Sequence, residues 1–140
     1  MAETFDIEIA TPERLLAREK AVRAQIPAKE GFIGVLPDHA TLLSELGIGA
    51  LTYTTPDDRF FTIAIAGGFL EINNNVVRVL SDVAEKGHEI DVSRAEKALK
   101  RAQEAMINPA VGMDIASALI AIRRAQARID AAGKEASRQE

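Results

Sequence analysis

The sequence predicts two joined domains of different class: an all-β sandwich or barrel over residues 1–87, then an antiparallel α-helical hairpin over residues 88–140. Three observations carry this reading. Before Gly87 the chain is a series of short β-branched or aromatic runs punctuated by Gly, Pro and Asn. After it the text becomes Ala-rich, with apolar residues three and four apart. Between the two, Asp91 stands where a helix N-cap belongs, its carboxylate within reach of the free backbone N–H groups of Ser93 or Arg94. Ser93 and Glu96 offer a rival capping box, and either device starts a helix here.

Thr4–Ala10 alternates apolar and acidic residues at period two, the pattern of a strand with one buried face. Thr11–Val22 carries two conflicting signals. Thr11-Pro12-Glu13 is a helix-start sequence and the composition favours helix, whereas the strand-rich surroundings favour an extended chain. Alternation returns from Val22 to Pro27, and Pro37-Asp38-His39 reads as a turn. Further strands are expected at Ala50–Thr54, Phe60–Ala66 and Val76–Leu80, separated by turns at Pro56-Asp57-Asp58 and Asn73-Asn74-Asn75.

In the second half, Val92, Ala95, Leu99, Ala102 and Met106 draw one stripe down a helix, which Asn108-Pro109-Ala110-Val111-Gly112 breaks. Asp114 then caps a second helix with its stripe at Ile115, Leu119, Ile122 and Ile129, and Gly133 is placed to end it. Two helices joined by a short loop fold back on each other. Much of this surface is Ala, which favours helix but buries few methylenes, at about 0.8 kcal/mol each. Stable helices with weak docking onto the sandwich are therefore expected.

Composition narrows the function. The 140 residues carry a net charge of -4 and contain no Cys, which excludes disulfides and thiolate metal sites. Residues 1–88 hold 8 Lys and Arg against 13 Asp and Glu, and residues 89–140 hold 9 against 8, so neither half has the basic balance of a nucleic-acid binder. No run of about 18 apolar residues marks a membrane span, and the start lacks the basic-then-apolar pattern of a signal peptide. His39 and His88 each stand alone, without the constellation that catalysis needs, and no P-loop occurs. No catalytic residue and no metal site is expected.

Gly31-Phe32-Ile33-Gly34-Val35-Leu36-Pro37-Asp38-His39-Ala40 resembles the G-x-[IL]-G-[VIL]-x-P-x-H-A segment of the epsilon subunits of rotary ATP synthases. The resemblance continues through Leu42-Leu43, Gly47-Ile48-Gly49 and Gly67-Gly68-Phe69-Leu70-Glu71 and covers nearly the whole chain. It implies a flattened β-sandwich in which Thr11–Val22 is extended. It also implies a non-catalytic subunit whose sandwich is fixed against gamma and the c-ring, coupling rotation to ATP synthesis. An extended hairpin would run beside gamma toward the alpha/beta catalytic hexamer and resist rotation in the hydrolysis direction, with Arg123, Arg124 and Arg128 suited to acidic surface there. The implied location is peripheral, on the cytoplasmic face of a bacterial inner membrane or on an organellar one.

The arginines suggest a ligand. Arg94 and Arg101 lie about 10 Å apart along one helix and Arg124 and Arg128 one turn apart on the other, so a folded hairpin brings four guanidinium groups toward each other. Guanidinium forks suit phosphate, although the same spacing also describes solvated helix faces. Ile90-Asp91-Val92-Ser93-Arg94-Ala95 matches the [IL]-D-x-x-R-A motif by which some bacterial epsilon subunits bind ATP. By that resemblance Glu85, Ile90 and Asp91 would hold the adenosine part, and Arg94, Arg101, Arg124 and Arg128 the phosphates. ATP would be a regulatory ligand, with no cofactor required.

Overall fold

The computed structural model describes residues 2–108 and 114–138, with side chains as far as Ala136. Eight strands come first: β1 (Phe5–Ala10), β2 (Leu15–Ala21), β3 (Arg23–Ala28), β4 (Gly31–Val35), β5 (Leu42–Glu45), β6 (Ile48–Thr54), β7 (Phe60–Asn73) and β8 (Val76–Lys86). A 3-10 turn (Gly87–Glu89) then leads into α1 (Val92–Ile107) and α2 (Ile115–Arg138). The strands join in the order β2-β1-β8-β7-β6-β3-β4, with β5 on β7, and β1 runs parallel to β8.

This sheet becomes a sandwich because β7 and β8 are long enough to serve both layers. The first half of β7 pairs with β6, from Thr54↔Phe60 to Ile48↔Ala66, and its second half pairs with β5, from Glu45↔Phe69 to Leu42↔Ile72. The bend between them falls at Gly67 (φ 76°) and Gly68 (φ 111°), angles that L side chains avoid. A Cβ at Gly68 would also collide with the Leu80 carbonyl, so the bend requires glycine twice over. Phe5, Ile7, Ile9, Ile26, Leu51, Ile65, Leu70, Ile72, Val77 and Val79 close the space between the layers, each at most 1% exposed.

The Thr11-Pro12-Glu13 signal makes a turn and not a helix: Thr11 Oγ1 accepts from the backbone N–H groups of Glu13 and Arg14, both at 3.2 Å. The chain beyond it is strand β2, held in register on β1 by Lys20 Nζ–Asp6 (2.6 Å) and Arg18 Nε–Glu8 (3.3 Å). Tertiary pairing has overridden local helix propensity. β7 and β8 also run well past the expected Ala66 and Leu80, and β4 and β5 add two short strands. The Asn turn is as expected, with Asn74 and Asn75 at φ 52° and 62°, the paired positive angles of a tight hairpin.

In the hairpin both caps form. Asp91 Oδ1 accepts from Arg94 N at 3.1 Å and Asp114 Oδ1 from Ser117 N at 2.7 Å. The buried faces agree with the expected stripes only in part: Ala95 and Ala102 are buried, and Leu99, Ile122 and Ile129 half-buried. Ala95, Ala102 and Ala105 of α1 and Ala118, Ala125, Ala127 and Ala131 of α2 are buried, while Val92, Met106, Ile115 and Leu119 are exposed. Alanine lets the two backbones approach closely, so the larger residues lie along the margins. α2 also runs through Gly133 to Arg138, because nothing at Gly133 forces the left-handed angle of a helix end. Of the expected break between the helices, Asn108 is the α1 C-cap and the rest lies outside the described residues.

The hairpin is compact against the sandwich. α2 lies across the outer face of β6 and β7, where Ala127 and Ala131 meet Ala50 and Ala64, with Ile48 and Ile90 packed around them. α1 packs on α2 and makes little contact with the sheet.

Candidate functional site

A cleft of about 700 Å³ opens between β7–β8 and the two helices. Its floor is apolar, from Ala64, Ile65, Ala66 and Val83, and its charged lining is Glu85, Arg94, Arg124 and Arg128. Strand β8 carries Glu85 because it extends past the bend, the Asp91 cap orients the first turn of α1 with Arg94, and α2 brings Arg124 and Arg128 in one turn apart. Arg128 straddles Glu85, Nε donating to Oε1 at 2.8 Å and Nη2 to Oε2 at 3.5 Å, with the two side chains 25% and 32% exposed. Three guanidinium groups against one carboxylate give an electropositive cleft suited to a polyanion.

Four of the seven anticipated residues thus line the cleft, and Ile90, Asp91 and Arg101 do not. Ile90 packs against the alanine cluster beneath α2. The Asp91 carboxylate is occupied as the α1 cap. Arg101 repeats the face of Arg94 two turns further on, about 10 Å along the helix and past the lining residues. Unliganded guanidinium groups this close repel one another, and at Arg128 the Glu85 carboxylate relieves that repulsion.

Sequence reasoning missed Ala98, Ser117, Ile120 and Ala121 as lining residues. Helical spacing reaches Ala98, four residues after Arg94. Ser117 was marked only by its place in the first turn of α2, where its backbone and hydroxyl hold the Asp114 carboxyl below the usual carboxylate range. His39 is half-buried, with Nδ1 2.8 Å from the Ala40 carbonyl, and among the described residues no cluster of three or more His, Asp or Glu is placed to hold a metal. No helix among the described residues is long and apolar enough to cross a membrane.

A two-layer sandwich whose chain ends in a helical arm folded on its outer face defines a class, the two-domain sandwich-and-hairpin subunits. Residues 4–87 match the family described as ATP synthase, Delta/Epsilon chain, beta-sandwich domain, and residues 88–133 match its long alpha-helix domain. The ATP synthase epsilon chain of Solibacter usitatus is 50% identical over 135 residues, spanning 96% of this chain and 100% of that one. That of Moorella thermoacetica is 39% identical, spanning 93% and 97%. A chain in the cryo-EM structure of the Euglena gracilis mitochondrial ATP synthase, OSCP/F1/c-ring in rotational state 1, shares the fold, with a TM-score of 0.80 at 24% identity over 94% of this chain and 82% of that one. The chain belongs to the epsilon-chain family of the F-type ATP synthases, as a non-catalytic subunit.

Proposed function

We propose that this subunit sits on the central stalk of the rotary enzyme, its sandwich against gamma and the c-ring, and couples rotation to ATP synthesis. Its hairpin is a brake on hydrolysis, applied when the arm extends beside gamma toward the alpha/beta hexamer and withheld while the arm is compact. ATP in the cleft favours the compact arm, so the brake is applied when ATP is scarce. A ligand present at a hundred times its dissociation constant supplies about 2.7 kcal/mol, enough to decide the position of a marginally docked element. The implied location is peripheral, on the cytoplasmic face of a bacterial inner membrane.

The observation supporting this reading is the convergence of Arg94, Arg124 and Arg128 from two helices on one electropositive cleft against the sheet. Isothermal titration of ATP into the full chain tests it. Arg94→Ala and Arg124→Ala are each expected to weaken binding about tenfold or more, since each removes a charge-assisted contact. Absence of binding at millimolar ATP, or affinity unchanged in both variants, sinks the ligand and leaves the stalk assignment standing. The second reading is the same subunit with a purely structural hairpin, and the Arg128–Glu85 pair favours it by tying α2 to β8 without any ligand.

A further inference from the structure

Glu135 is the one charged residue buried among the described residues, 3% exposed, and it lies well beyond the cleft near the end of α2. Burying a carboxylate is costly unless hydrogen bonds or a counter-charge compensate it. Compensation here is partial. Oε1 accepts from the backbone N–H of Thr62 at 3.2 Å, and Oε2 has no hydrogen-bond partner. His88 Nδ1 lies 3.4 Å from Oε2, close enough to be a counter-ion when charged but not placed as a hydrogen-bond donor.

The seat is built by three elements. Thr62 stands one residue outside the last β7–β8 pair, Ile63↔Lys86, so on that edge its N–H has the carboxylate of α2 in place of a strand partner. Its hydroxyl donates to the Ala131 carbonyl at 2.6 Å, one turn before Glu135. Gly87 lets the chain leave β8 against this point: a Cβ there would collide with Thr62 Oγ1 and come within 3.0 Å of Glu135 Oε2. Arg128, Ala131 and Glu135 lie on one face of α2, so the arm is fastened to β8 and β7 at two separate polar points, one in the cleft and one outside it.

We propose that Glu135 is a release catch: its buried, half-satisfied carboxylate holds the end of α2 on the sheet near balance, so that this end lets go independently of the cleft. The uncharged isostere therefore docks more tightly and the truncated side chain less tightly. Glu135→Gln keeps an acceptor for Thr62 N–H and removes the buried charge. Glu135→Ala leaves that N–H unpaired. Hydrogen exchange of the full chain without nucleotide reads the difference at α2 amides 126–136, with β6 amides as the internal standard for an intact sandwich. Relative to the parent, exchange at the end of α2 is expected to be about tenfold slower in the Gln variant and about tenfold faster in the Ala variant. Two results overturn the proposal: faster exchange in both variants, which makes the charge a simple anchor, or unchanged exchange in both, which makes the site inert.

Discussion

The two interiors of this molecule are equally dry and unequally filled. Leu51 and Ile65 of the sandwich are 0% and 1% exposed; Ala118 and Ala131 of the hairpin are both 0% exposed. Burying a Leu or Ile side chain fully contributes about 1.5–3 kcal/mol, whereas an Ala methyl contributes about 0.8 kcal/mol. Exclusion of water therefore does not measure how firmly an element is held. The sandwich owes its persistence to large aliphatic residues from both layers, and the arm rests on a smooth alanine contact supplemented by the Arg128–Glu85 and Glu135–Thr62 links. One region is suited to stay rigid under load, the other to detach.

The contrast breaks most visibly if the sandwich is weakened. Leu51→Ala leaves a cavity in a packed core and is expected to cost about 2–5 kcal/mol in urea unfolding monitored by sandwich signals. A change within the ordinary scatter of surface substitutions would mean that the core is looser than its burial implies. Ala131→Leu tests the other region by forcing a larger side chain between α2 and the sheet beside Ala50, Ala64 and Ala127. Overpacking of about 1–3 kcal/mol is expected to lift the arm, raising hydrogen exchange along α2 while the sandwich midpoint stays put. If the sandwich midpoint falls in step, the two regions unfold as one cooperative unit and the contrast fails.

This difference also decided what the sequence could reveal. Strand patterning marked β1 by period-two alternation, because that strand has one wet face, and the first halves of β7 and β8 as β-branched or aromatic runs, β7 being buried on both faces where α2 covers it. It lost β7 at Gly67-Gly68, where the bend interrupts the pattern, and β8 beyond Leu80, where Ser81-Asp82 follow the same bend. β2 read locally as helix since only pairing with β1, a non-local fact, makes it extended. In the hairpin, apolar periodicity found the buried Ala95 and Ala102 but also drew in Ile115 and Leu119, which packing leaves exposed in favour of further alanines. The candidate site was legible where helical spacing governs it, at Arg94, Arg124 and Arg128, and at Glu85 by resemblance. It failed at Arg101, because a helical face says nothing about where the partner surface ends.

The smallest effect concerns Gly133, and its sign is opposite to those of Leu51→Ala and Ala131→Leu. The residue sits exposed inside α2 with no positive φ, and a Cβ added there meets nothing within 4 Å. Glycine in a helix interior therefore costs backbone entropy with no packing return, so Gly133→Ala is expected to stabilise the arm by about 0.5–1 kcal/mol. The gain belongs to the helix and not to its docking: helical circular dichroism at elevated temperature rises, while the urea midpoint of the sandwich does not move. Should alanine at 133 also slow exchange in β6 and β7, the arm would be clamping the sheet, and the separation into a firmly held and a loosely held region would have to give way to a single coupled body. Should it lower helicity instead, the chain needs a glycine there for a left-handed turn, as the sequence pattern first suggested.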